Sequence, residues 1–250
     1  MIATAAHSDT CLNTTAPGYF GFIPAGGLFA AAVADFTADV FNRYTGLKET
    51  APALVQLEKK LLSWLGGSFG YDPSRPGGVF TSGGSLATFT AIVAARNMRL
   101  RRHNRNITKL VGHASAQAHH SVKDAFRLAG LPAKNLREIA PDQSGRMRLD
   151  DLRKRIWWDQ LLGLEPFVVV ATAGTTNMGA IDPLPMIASI CEQRRLWLHV
   201  DAAYGGTFIL CPEGKTLLEG ISRPIRSLST RTRASSCLMA PVVFCSRGPI

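Results

Sequence analysis

The sequence predicts an α/β fold in which a mainly parallel sheet is covered by helices. From about residue 29 onward, segments with a helical apolar period alternate with short β-branched runs. The run Phe167 to Thr172 is apolar enough to be a buried central strand. At 250 residues, with 46% hydrophobic and 18% charged residues, the chain is also long and apolar enough for one sizeable core.

Taken in order, the helical period predicts helices over 29–43, 52–65, 85–102, 118–129, 149–162 and 184–194. Between them, short apolar and β-branched runs predict strands over 109–112, 136–140, 167–172 and 196–200. The first eighteen residues are small and polar and read as a loose terminus. After Ser222 the composition changes: RPIRSLSTRTRASSCLMAPVVFCSRGPI mixes Arg, Ser and Pro with no clear period of 2 or 3.6. No internal repeat is visible.

The bulk properties narrow the function classes. No apolar run approaches the roughly 20 residues that span a bilayer, and the start, MIATAAHSDTCLNTTAPG, lacks a basic region followed by an apolar one. A cytoplasmic protein is expected, without a membrane partner. Cys11, Cys191, Cys211, Cys237 and Cys245 form no CxxC pair and fit reduced thiols. The net charge of +10 would suit nucleic acid, but half of it comes from Arg223, Arg226, Arg231, Arg233 and Arg247 in the tail. A second basic run, Arg96 to Arg105, ends a helix and reads as a solvated face, so no nucleic-acid partner is expected.

Four segments carry candidate chemistry. Gly77 to Ser85, GGVFTSGGS, leads into a helix; it could cradle a phosphate on free amides at the helix N-terminus, or form a tight turn with a Ser cap. The strand 167–172 runs into Ala173-Gly174-Thr175-Thr176 and then Gly179 to Pro183. Thr175 and Thr176 could donate to a ligand at the carboxyl end of the sheet, while Asp182 could cap the next helix.

In the third segment, WLHVDAAYGG, Asp201 closes an apolar strand, and burying it calls for a cationic partner unless it is exposed at the strand end. A cationic heterocycle could be that partner, with the small residues after it leaving room for a flat ring. The fourth, His113 to Val122, lies between a strand and a helix. Its His113, His119 and His120 have no accompanying Cys or carboxylate ligand set, so no metal site is expected. A histidine stacked on a ring, or one capping the helix, fits better.

In this order, the four segments resemble the group II pyridoxal-phosphate-dependent amino-acid decarboxylases, the family of aromatic-amino-acid and glutamate decarboxylases. The resemblance spans about residues 17 to 222. It also includes PGYFGFIP from Pro17 to Pro24, Ala51-Pro52-Ala53, Leu57-Glu58 and Trp64. It implies a fold-type I large domain, the cofactor pyridoxal 5′-phosphate, a homodimer, and decarboxylation of an L-amino acid to the amine and carbon dioxide.

On that resemblance, Gly83, Gly84 and Ser85 match the phosphate turn, and Thr176 matches a threonine that contacts the cofactor. His119 matches the histidine stacked on the pyridine ring, with Ala203 on its other face, and Asp201 matches the aspartate at the pyridinium nitrogen. Phe22, Ile23 and Pro24 fall where the family lines its substrate pocket, and His120 stands where some relatives have Ser. The implied organisation is 1–18 loose, 19–76 an N-terminal helical segment, 77–222 a partial cofactor-binding large domain, and 223–250 an aberrant tail.

The family continues from HVDAAYGG toward an Asp-Pro-His-Lys motif whose lysine joins the cofactor as a Schiff base, but here no lysine follows Lys215. Back-translating the tail and restoring one base after the Arg223 codon changes the reading to Arg-Ala-Asp-Ser-Leu-Ser-Leu-Asp-Pro-His-Lys-Gly-Leu-Phe-Leu-Pro-Tyr-Gly-Thr-Gly-Gly-Val. Synonymous codons leave some freedom, mostly at the first base of each restored codon. The restored lysine falls at position 233, where the chain has Arg233. A guanidinium stays protonated and cannot replace it as a nucleophile. The tail therefore reads as out of frame, the chain as truncated, and its own activity as little or none. The alternatives are another fold-type I enzyme, such as an aminotransferase or a carbon-sulfur lyase, and a non-catalytic fragment that binds cofactor or a paralogue.

Overall fold

The computed structural model describes residues 16, 27–71, 77–101, 106–221, 234–239 and 242–247. They belong to two compact units, 1–58 and 59–250. The expectations for Phe22, Ile23, Pro24 and Arg233 lie outside the described residues.

In the first unit, α1 covers Phe29–Phe41 and has no buried residue. A second helix, α2 (Pro52–Ser68), begins in this unit and continues into the other. Proline suits its first position, because that amide has no helical acceptor.

The second unit is a seven-stranded sheet with helices on both faces. In chain order its elements are β1 (Gly78–Phe80), α3 (Gly84–Leu100), β2 (Leu110–Ser115), α4 (Ser121–Leu128), β3 (Leu136–Ile139), α5 (Leu149–Leu161), β4 (Glu165–Thr172), α6 (Leu184–Arg194), β5 (Trp197–Asp201), α7 (Pro212–Leu217), β6 (Ala234–Met239) and β7 (Val242–Arg247). The spatial order is β1-β7-β6-β5-β4-β2-β3. Strands β3, β2, β4, β5 and β6 run parallel, while β7 is antiparallel to both β6 and β1.

Period-2 alternation along β4 and β5 divides the core between two faces. Val169, Ala171, Leu198 and Val200 pack with Leu152, Ile156, Leu184 and Ile187 from α5 and α6. Val168, Val170 and Trp197 pack on the other side with Ile92, Ala95, Val122 and Phe126 from α3 and α4. Full burial of a side chain such as Phe126 or Ile92 contributes about 1.5–3 kcal/mol. The face α3 turns inward is mostly small, with Ala87, Ala91 and Ala95 spaced by four, so this helix can lie close to its neighbours.

All the expected helices and strands form, with differences that have physical causes. The strand expected over 109–112 continues to Ser115 and takes in His113, which is wholly buried rather than in a loop. His113 Nε2 donates to Asp159 Oδ2 at 3.0 Å, and Arg137 donates to Asp159 Oδ1 through Nε at 2.9 Å and Nη2 at 2.7 Å. The helix expected from residue 118 begins at Ser121 because residues 116–120 form a turn.

The basic run is less solvated than expected. Arg96 donates to the carbonyl of Ala129, and Arg99 lies 4.0 Å from Glu165. The tail, which showed no period, supplies β6 and β7. Backbone pairing with β5 needs no side-chain pattern, so a periodicity reading could not see it. Among the described residues, no helix is long and apolar enough to cross a membrane.

Candidate active site

Three of the four chemical segments follow the carboxyl ends of the parallel strands β2, β4 and β5. The fourth opens α3, whose Ala87 and Ala91 pack against Ala203 just beyond β5. Strand pairing sets Thr172 beside Asp201, and the Ala173 amide donates to the Asp201 carbonyl at 2.7 Å. Gly174 has φ +98°, which favours glycine, and an added Cβ would come within 3.1 Å of the Gly205 nitrogen. A Cβ on Gly205 would in turn collide with the Ala173 carbonyl. The AGTT and AAYGG segments thus meet backbone to backbone.

Asp201 is 6% exposed. Among the described residues, its carboxylate takes one side-chain hydrogen bond, from the Ala203 amide at 3.1 Å. Burial raises its pKa above the ordinary carboxylate value, against the opposing effects of that amide and of nearby His119. The influence of His119 on Asp201 places these two sequence-predicted residues in one electrostatic neighbourhood.

His119 is held by Ser121, whose hydroxyl lies 2.8 Å from Nδ1 and whose amide donates to Nδ1 at 3.3 Å. With Nδ1 as acceptor, the ring presents its N–H at Nε2. The His120 ring lies 4.1 Å from that of His119, and its Nδ1 is 3.3 Å from Asp124. His119 thereby accepts the first amide of α4, as a capping histidine would, while the side chain of the N-cap residue His120 caps no helix amide. No group of three or more His, Cys, Asp or Glu residues suited to a metal forms among the described residues.

At the start of α3, Gly83 is the N-cap, and no side chain caps the helix, so the expected Ser cap is absent. A Cβ on Gly83 would meet nothing within 4 Å. The amides of Gly84 and Ser85 precede the first helical hydrogen bond, from Ala87 to the Gly83 carbonyl, and this is the arrangement that suits a phosphate.

In the next loop Thr175 is buried and accepts from the Ala180 amide at 3.1 Å, so its hydroxyl closes the loop itself. Thr176 is half-buried beside it. Asp182 does not cap α6 as expected: its two carboxylate oxygens accept from the Met147 amide at 2.6 Å and the Thr172 amide at 2.8 Å. Burial lifts its pKa to about 6 in spite of those two bonds.

Two features favour a cationic aromatic phosphate here. One is the buried Asp201 carboxylate, with so few partners. The other is a pair of buried hydroxyls, Thr172 Oγ1 and Thr88 Oγ1, with no hydrogen-bond partner among the described residues. Three contributions are not evident from the sequence alone: the Ser121 hydroxyl at His119, the bridging of two backbone amides by Asp182, and the Ala87–Ala91 pair. Ala87 and Ala91 carry a weak signal, small residues four apart on one helix.

The pyridoxal-dependent decarboxylase conserved domain matches residues 8–241. The chain is 36% identical over 207 residues to an aromatic-L-amino-acid decarboxylase of Bacillus atrophaeus, covering 83% of this chain and 42% of the relative. It is 37% identical over 179 residues to a human cysteine sulfinic acid decarboxylase, covering 70% and 36%. Among solved structures, Catharanthus roseus tryptophan decarboxylase in complex with L-tryptophan superposes with a TM-score of 0.85 at 27% identity, over 98% of this chain and 55% of that one. Oryza sativa TDC with PLP gives 0.84 at 27% identity, over 97% and 56%. The chain spans about half the length of the relatives it matches. With the family model matched over nearly all of it, this chain belongs to the pyridoxal-dependent decarboxylases.

Proposed function

We propose that the site serves pyridoxal 5′-phosphate-dependent decarboxylation of an L-amino acid, and that the chain as written has little or no turnover. The observation that carries this reading is Asp201, a buried carboxylate at the end of a parallel strand with one amide donor among the described residues and a raised pKa. A protonated pyridine nitrogen is the partner such a group lacks.

In this reading the amides of Gly83, Gly84 and Ser85 bind the phosphate, with Thr176 as a further contact. His119, oriented by Ser121, would stack on the ring with Ala203 opposite. Asp201 would keep the ring nitrogen protonated. The bound cofactor would supply an electron sink for the pair left as carbon dioxide departs. Phe22, Ile23 and Pro24 would line the substrate side.

Turnover fails because Arg233 stands where the resemblance puts the lysine that anchors the cofactor. We assign the protein to the cytoplasm, consistent with Cys191 and Cys211 being free thiols. We also assign it a homodimer. Leu28, Phe29, Phe36, Val40, Phe41 and Tyr44 are exposed in the first unit, a concentration of apolar surface suited to a second copy.

Borohydride trapping with the cofactor, followed by peptide mapping, tests the missing anchor: no single lysine is labelled stoichiometrically. Carbon dioxide release from a panel of aromatic and acidic L-amino acids is then compared for this chain, a version with one base restored after codon 223 and extended to the natural stop, and that version with an N-terminal extension. Release only after repair supports the reading. A repaired, cofactor-loaded dimer that only transaminates overturns it.

A further inference from the structure

We infer that Asp182 is a positioning residue: by bridging two backbone amides from separate segments, it holds the Ala173–Ile181 loop, and Thr176 with it, at the cofactor site. The inference rests on the cofactor reading above and extends it to a residue that would not itself touch the ligand.

The 173–181 loop has a closed hydrogen-bond plan. Gly174 and Thr175 both donate to the Ala180 carbonyl, at 3.1 and 2.9 Å, and Gly179 donates to the Thr175 carbonyl at 2.8 Å. Thr175 Oγ1 accepts from Ala180, and Ala173 bridges to Ile181. These bonds shape the loop but leave its orientation to whatever fixes its base.

Asp182 fixes that base three times. Its amide donates to the Thr172 carbonyl at 2.9 Å, while Oδ2 accepts from the Thr172 amide, so the loop closes on the last residue of β4. Oδ1 accepts from Met147, which pairs with Pro141 across a turn just before α5. A Cβ on Gly145 in that turn would lie 3.0 Å from Met178 Sδ, so the turn also flanks the outer side of the loop. Since Thr172 pairs with Asp201 and Ala173 bonds its carbonyl, displacement of this clasp is transmitted to both Thr176 and the strand end bearing Asp201.

The chemistry needs a carboxylate. Two N–H groups converge on two acceptor oxygens of one short side chain. An asparagine presents one acceptor and turns its NH2 toward the other amide, leaving a buried donor facing a donor.

The probe is pyridoxamine 5′-phosphate, which binds without needing a lysine. Its affinity and induced circular dichroism are measured on the full chain, on Asp182→Asn and on Asp159→Asn, at a temperature where all three are folded. Asp159→Asn is the matched control, because it weakens the buried His113–Asp159–Arg137 group while leaving the clasp intact. Asp182→Asn is expected to raise Kd by about ten- to a hundredfold and to abolish the induced signal. Asp159→Asn should lower the Tm but keep Kd within about twofold of wild type.

Equal affinities for wild type and Asp182→Asn, or equal losses in both variants, overturn the inference while leaving the cofactor reading standing. If wild type itself binds no probe, the cofactor reading fails and the inference falls with it. Should Asp182→Asn not fold, hydrogen exchange on wild type decides. Slow exchange at Met147 and Thr172 without ligand, with added protection at 174–177 on binding, supports the clasp; fast exchange at both amides refutes it.

Discussion

Two buried aspartates on the same sheet assembly have opposite surroundings. Asp159 on α5 is enclosed by side-chain donors of its own chain, with the Arg137 guanidinium donating two hydrogen bonds to one oxygen and His113 one to the other. Asp201 at the end of β5 has one backbone amide and the neighbourhood of His119. Burial pushes both carboxyls up, but at Asp159 the hydrogen bonds from His113 and Arg137 outweigh it and hold the pKa below the ordinary value. The difference separates structure from function: a carboxylate supplied with guanidinium and imidazole donors by its own chain ties elements together, and one with a single amide donor among the described residues suits a cation from outside.

The largest effect should come from breaking the satisfied group. Asp159→Ala leaves His113 and Arg137 without their shared acceptor, and denaturant unfolding should show a loss of about 3–5 kcal/mol. The complementary change, Asp201→Asn, should weaken pyridoxamine 5′-phosphate binding by about 2–4 kcal/mol in a calorimetric titration, while raising the Tm of the ligand-free chain at neutral pH. The sign follows from the raised pKa. Ionised Asp201 destabilises the fold above its folded pKa, and the penalty fades as pH falls through that value and the carboxyl protonates. The stabilising effect of the asparagine must therefore shrink toward acid pH. A gain that grew on acidification would contradict the assignment.

Smaller effects sharpen the comparison. Ser121→Ala removes the hydroxyl that orients His119 and should cost about 1 kcal/mol of probe affinity with little change in Tm. At His113, burial holds the pKa below its ordinary value despite the favourable pull of Asp159. The unfolded chain then takes up the proton first, and stability should decline as pH falls below about 6.5. His113→Gln should flatten that limb of a Tm-against-pH curve.

The fold was legible where burial on both sides of a strand leaves an unbroken apolar run, as in Phe167 to Thr172, or where a helix shows one apolar stripe. It was illegible where pairing substitutes for pattern. His113 looked like a loop histidine because its partner, Asp159, is 46 residues away, and the tail strands depend on backbone bonds that any sequence can make. At the site, the proposed cofactor contacts were named from motif resemblance. Asp182 was not, since its position before a helix suggests a cap and only the fold brings Met147 to its second oxygen. Ser121 was hidden in the same way, its bond to His119 requiring the turn at 116–120.

The pairing of β6 with β5 also bears on how the chain behaves in a crowded cell. Leu198 to Asp201 have their outer side occupied by Ser235 to Leu238, and β7 then separates β6 from β1. A protease nick after Ile221 that released this hairpin would turn β5 into a bare edge of mostly apolar residues, open to any strand that could add to it. Because the ladder is made by main-chain groups, many substitutions within 234–239 could preserve the shield, whereas a proline at a hydrogen-bonded position would open it.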